Sequence, residues 1–207
     1  MNKNLKFTVL SLKVAVFGLL AAMMFSCQPN YVPKPNAYYR IDFPEKEYRL
    51  FDSICPYTFE YPVYGIINPD MHPSAEPYWI NISFAKYKGT IHLTYKTIDG
   101  DFDKFMEENW KMIYSKIALK ADAIDDRFIY ENPELKVYGA LYDIKGNAAS
   151  SVQFWLTDSL KNYIRGSFYF SVKPNYDSLA PAIGFFREDI IHLMETFKWK
   201  QNNININ

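Results

Sequence analysis

Two stretches of this chain repeat apolar residues at three-and-four spacing, and between and before them the apolar residues come in short runs. Phe102, Phe105, Met106, Trp110, Ile113, Tyr114 and Ile117 fall on one helical face. Ile183, Phe186, Ile190, Leu193, Met194 and Phe197 fall on another. A helix that is apolar along one stripe needs a layer to cover it, so a chain with these two helices and many short strands folds as α+β: a mostly antiparallel sheet with two amphipathic helices packed on it.

The strand candidates are aromatic and β-branched runs closed off by proline, glycine and polar residues: 57–61, 63–67, 79–84, 90–95, 127–130, 135–144, 149–156 and 163–172. Residues 85–89 are few enough for a hairpin. Tight connections at 145–147 and 157–162 join the last three strands into an antiparallel meander. Residues 69–77 and 174–178 read as loops, and the acidic residues from Ala121 to Asp126 as a turn. Asp99 or Asp101 can cap the first helix, with Asp103, Glu107 and Glu108 toward its positive end. The order of strands, helix, meander and helix resembles a Mog1/PsbP-like α/β/α sandwich. Aromatic residues make up 18% of the chain, 17 Tyr, 16 Phe and 4 Trp, which suits strands, cores and interfaces and leads us to expect aromatic surface to spare.

The first 27 residues set the compartment. Lys3, Lys6 and Lys13 precede twelve uncharged residues, Val14 to Phe25, and then come Ser26 and Cys27. A basic start, a short apolar core and a small residue at the cut make an export signal. A cysteine directly after Ser26 adds the bacterial lipoprotein reading, with lipid on the Cys27 thiol and cleavage just before it. An uncut membrane anchor spanning Phe7 to Phe25 is a second reading, against which Lys13 stands in the middle. An ordinary secretory signal, leaving Cys27 free to pair with Cys55, is a third. The lipoprotein reading divides the chain into a signal peptide at 1–26, a lipidated cysteine with a proline-rich tether at 27–37, one globular domain at 38–200 and a polar tail at 201–207. It leaves Cys55 as the remaining thiol, read as a small buried apolar side chain. The tract 38–48 reads as an extended arm lying across the domain.

Lys and Arg number 23 and Asp and Glu 23, so no net field draws the chain to nucleic acid. The chain has no G-x-S-x-G elbow, H-E-x-x-H pair, phosphate-cradling glycine loop or C-x-x-C. The alternating aspartates from Asp99 to Asp103 open like a calcium loop, but its sixth and twelfth places hold Lys104 and Trp110 instead of glycine and glutamate. His72, His92 and His192 read as surface or hydrogen-bonded residues, His192 roughly opposite the apolar stripe of its helix. These residues assign no catalytic group, cofactor, metal or small-molecule substrate, and we expect a non-enzymatic protein.

The blocks YVPKPNAYYRIDFPEKEY, CPYTFEYPVYG, EPYWINISFAKYKGTIHLTYK and RGSFYFSVKPNYDSLAPAIGFFREDIIHLMETFKWK resemble the gliding-motility lipoprotein GldD family of the Bacteroidota over nearly all of the mature chain. The resemblance implies a membrane-anchored lipoprotein required for gliding, associated with the motility and type IX secretion apparatus, with the lipid on Cys27 and other envelope proteins of that apparatus as partners. It carries over no catalytic residue. Gln28 and the absence of an acidic run after it favour the outer membrane, facing the periplasm. Two functions follow as expectations: an assembly or interaction component whose first contact candidates are Tyr38 and Tyr39, or a polysaccharide- or peptidoglycan-binding module or hydrolase using aromatic side chains as stacking platforms.

Overall fold

The computed structural model describes residues 41–98, 100, 102–111 and 123–200. The leader, Cys27, the tether, Asp99, Asp101, Ile113, Tyr114, Ile117, residues 121–122 and the tail lie outside them, as does the side chain of Trp110. The described strands are β1 (Tyr48–Phe51), β2 (Tyr57–Pro62), β3 (Ile66–Pro69), β4 (Ile80–Phe84), β5 (Gly89–Thr97), β6 (Ala123–Asn132), β7 (Val137–Lys145), β8 (Ser150–Thr157), β9 (Asn162–Phe170) and β10 (Lys198–Trp199). The helices are α1 (Phe102–Lys111) and α2 (Tyr176–Thr196).

Seven strands form one sheet in the order β3-β4-β5-β9-β8-β7-β6, each pair antiparallel, and β1-β2-β10 form a second. The expected meander is present and longer, because β6 joins it. The break between the two sheets falls at Pro62, which separates the expected runs 57–61 and 63–67: Pro62 to Gly65 make a turn closed by Gly65 N–H to the Pro62 carbonyl at 2.9 Å, after which β3 pairs with β4. The hairpin at 85–89 turns through a short 3-10 segment, Ala85–Tyr87, with Lys88 left-handed at φ 53°.

Two boundaries depart from the sequence reading. β6 begins at Ala123, so Asp125 and Asp126 lie in a strand and not in a turn. β6 is an edge strand, where charge is tolerated, and its register with β7 slips between Asp125 and Arg127. α2 begins at Tyr176, inside the expected loop. Asn175 is extended and its side chain accepts from Ser178 N–H, an N-cap that adds about two turns before the apolar stripe.

Strand alternation sorts the two faces of the large sheet. On β9, Ile164 and Phe168 are buried on one side, while Tyr163, Arg165 and Ser167 point to the other. Phe186 of α2 meets Phe84 at 4.5 Å and Phe168 at 5.2 Å between ring centroids. Phe105 of α1 stacks on Tyr163 at 5.7 Å, and Phe102 stands edge-on to Trp155 at 6.4 Å. The helices therefore cover opposite faces, an α/β/α arrangement. α2 also reaches the second sheet, since Phe197 just past its end packs on Tyr57 and Phe59 of β2.

The aromatic excess is consumed by this double duty. Tyr57, Phe59, Phe84, Phe154, Phe168, Phe186 and Phe197 are all fully buried. The expected spare aromatic surface is small: among the described residues, Tyr78 is the one aromatic side chain more than a third exposed, at 41%. Cys55 is buried and joins the core.

Gly166 shows how tightly the core is closed. It is the cross-strand partner of Phe154, and a Cβ at this position would lie only 2.0 Å from Cε1 of the Phe154 ring. Overpacking of this kind forces side chains off their rotamers, so Gly166→Ala should destabilise the fold by about 1–3 kcal/mol. A lowered urea midpoint at unchanged slope is the expected readout.

Candidate functional site

A buried polar feature joining distant parts of the chain is built around Asp189. It lies three residues after Phe186 and four before Leu193, which places it on the buried side of α2, and it is 1% exposed. A carboxylate there must be fully hydrogen-bonded. Lys46 Nζ donates to Oδ1 at 2.7 Å, Tyr48 OH to the same oxygen at 3.0 Å, and Tyr64 OH to Oδ2 at 2.6 Å. Lys46 also donates to the Phe185 carbonyl at 2.6 Å and lies 3.6 Å above the Phe185 ring, with Glu188 3.6 Å away.

Lys46 belongs to the extended arm, and its neighbours in sequence fasten the same segment. Phe43 stacks on Phe185 at 4.3 Å, and Tyr87 OH donates to the Asp42 carbonyl at 3.1 Å. The Tyr48 ring stacks on His192 at 3.6 Å, and His192 Nε2 meets Glu60 Oε2 at 2.7 Å. The arm thus contacts α2 at Phe185, Asp189 and His192, positions spaced by four and three along one stripe. Residues 41–48 lie across the fold as the sequence led us to expect. The clamp beneath them was not foreseen, and the signal that could have found it is the charged residue on an otherwise apolar helical face.

Burial raises the Tyr48 hydroxyl well above the usual phenol range, and the charge of Asp189 and its hydrogen bond add to that. Burial also raises Tyr64, followed by its hydrogen bond to Asp189. Both hydroxyls therefore stay protonated donors.

Of the sequence-designated residues, Cys27, Tyr38 and Tyr39 lie outside the described residues. His72 is in the exposed 70–79 loop, with Nδ1 2.7 Å from Ser74 Oγ. His92 is half-buried on β5 beside Tyr169, and burial lowers it despite the opposing charge of Asp70. His192 lies away from the apolar stripe of α2 and is part-buried because Tyr48 stacks on it and Glu60 meets it. Asp103 lies exposed in the first turn of α1. The three histidines occupy separate places, and among the described residues no three His, Cys, Asp or Glu side chains gather as a metal site would require. No helix among the described residues is long and apolar enough to cross a membrane.

Residues 28–199 match the family described as gliding motility lipoprotein GldD. The chain belongs to that family. It is accordingly a gliding-motility lipoprotein, anchored to a membrane of the cell envelope. No curated protein matches the GldD-family chain. Among solved structures it is similar to the solution structure of cyanobacterial PsbP (CyanoP) from Synechocystis sp. PCC 6803, at 10% identity and a TM-score of 0.48, over 75% of this chain and 94% of that one.

The raised tyrosines fix the sign of an alkaline dependence. In the unfolded chain they ionise near pH ~10 while Tyr48 and Tyr64 in the fold keep their protons, so the stability they contribute is complete below that pH and falls as pH rises beyond it. Urea titrations across this range should show the loss, and it should shrink in Tyr48→Phe and Tyr64→Phe. At neutral pH, Lys46→Met should cost about 3–5 kcal/mol, because it leaves the Asp189 carboxylate buried without its cation.

Proposed function

We propose that this chain is a non-enzymatic assembly or interaction component of the gliding-motility and type IX secretion apparatus. On this reading it is lipidated on Cys27 and held at the outer membrane with its folded part facing the periplasm. Family membership supports the setting, and the matched region opens one residue after Cys27.

The observation that carries the connector reading is the use made of Asp189. A buried carboxylate with three donors fastens the segment next in sequence to the tether onto α2, through an ion pair, two tyrosine hydroxyls and a ring stack. A component that transmits position or load from an anchor needs a joint at this point in the chain. The same carboxylate is saturated by its partners, so it is occupied as a fastener. Tyr38 and Tyr39 remain the first contact candidates, and Tyr78 joins them. Tyr78 is exposed and left-handed at φ 67°, and its carbonyl accepts the Tyr57 hydroxyl at 2.6 Å. A bulky residue in that conformation is held by its surroundings, and its ring stands edge-on to Tyr95 at 5.7 Å.

The test is a set of chromosomal replacements scored for gliding and for protein abundance. Cys27→Ser should abolish gliding and palmitate labelling together. His72→Ala and His92→Ala, which lie outside the joint, should each leave gliding intact at normal abundance. Loss of gliding in either at normal abundance would replace the connector reading with a catalytic or ligand-binding one.

A further inference from the structure

The sheet face turned toward α1 carries buried polar groups that have no hydrogen-bond partner among the described residues. Arg165 on β9 donates to Gln153 Oε1 on β8 at 2.6 Å, which leaves Gln153 Nε2 buried without a partner. The Tyr163 hydroxyl, two residues before Arg165, is also buried and unpartnered, on a side chain only 4% exposed. Folded proteins seldom leave such groups unmatched, and each one calls for a partner such as a water, an ion or a ligand, or for a functional role.

A cleft of about 210 Å³ opens beside these groups, bounded by Trp79, Thr94, Lys96, Phe105, Glu108, Tyr163 and Arg165. Its aromatic walls are fixed. Trp79 Nε1 donates to the Tyr95 carbonyl at 2.8 Å, and the Phe105 and Tyr163 rings stack on each other. Its charges are mixed. Arg165 and Lys96 come from adjacent strands β9 and β5, Lys96 pairs with Glu76 at 2.7 Å, and Glu108 enters from α1.

We propose that this cleft binds a pyranose bearing a carboxylate, a sugar acid of uronic type. Guanidinium recognises carboxylate through paired N–H donors, and Lys96 adds a second cation. A pyranose presents C–H faces that pack on aromatic rings, which Trp79 and Phe105 supply. Its hydroxyls find an acceptor in Glu108 and a hydroxyl in Thr94, and its oxygens give the Tyr163 hydroxyl the partner it lacks. Glu108 also selects the charge: beside a carboxylate on α1, a singly charged ligand is favoured over a dianionic phosphate. The volume suits one small ring, below the usual range for drug-sized ligands.

The experiment uses the full lipidated chain in detergent micelles, titrated calorimetrically with glucuronate, glucose and glucose 6-phosphate. Glucuronate should bind saturably, with the other two at least about tenfold weaker, the difference one well-made charged contact supplies. Lys96→Gln and Tyr163→Phe should each weaken glucuronate binding about fivefold or more. Tyr163→Phe should leave the Tm unchanged or raised, since it deletes a hydroxyl with no partner among the described residues and keeps the ring. The proposal is overturned by absence of saturable glucuronate binding, by equal binding of glucose, or by tighter binding of glucose 6-phosphate. It is equally overturned by unchanged affinity in both variants, or by a lowered Tm in Tyr163→Phe, which would place the hydroxyl in an internal bond. These readouts are independent of gliding, so they stand apart from the test of the connector reading.

Discussion

A carboxylate taken out of water at the middle of α2 must be given partners, and the fold arranges much of its N-terminal half to do so. Lys46 comes from the arm, Tyr48 from β1, and Tyr64 from the turn where the chain leaves one sheet for the other. The attraction between Lys46 and Asp189 is offset by the cost of desolvating both, so the ion pair adds less to stability than its geometry suggests. Its effect is on register. Any displacement of the arm along α2 would strand Asp189, so the buried charge selects one placement from the several that aromatic packing alone would tolerate.

α2 is the element on which both sheets depend. Its Phe186 fills the space over β4 and β9, while Phe197 just past its end closes on β2. The small sheet has three strands, one of them only two residues long, too little to bury a core alone. Covering it with the same helix that covers the large sheet makes a single continuous core. The aromatic composition follows from that demand, since rings on β2, β4, β9 and α2 span gaps that aliphatic side chains would leave open.

The opposite face of the large sheet has another chemistry. Strand alternation that buries Ile164 and Phe168 under α2 necessarily turns Tyr163, Arg165 and Ser167 toward α1. On β8 the same rule turns Gln153 and Trp155 that way. One face is apolar and fully packed, and the other combines aromatic rings with cations and amides. Family membership accounts for the setting in which the protein works, while this asymmetry separates a structural face from one with capacity to hold a ligand.

Local pattern was enough for much of this. Helical spacing announced α1 and α2, alternation and turn residues announced the strands and the β7-β8-β9 meander, and the blocks around the tether and the last helix marked the family. These are properties of neighbours in sequence, set by backbone geometry and by which side chains avoid water. The rest depends on residues far apart in the chain. Whether Asp189 is a surface charge or a clamp depends on Lys46, 143 positions away, and no periodicity reports that distance. β5 beside β9, the split of residues 57–69 into two sheets and the aromatic rings turned inward likewise arise from long-range packing. Neighbouring residues specify which segments are helix or strand and which side of each is apolar; which polar side chains meet is settled when the layers pack, because burial is a property of the assembled layers and not of any one segment.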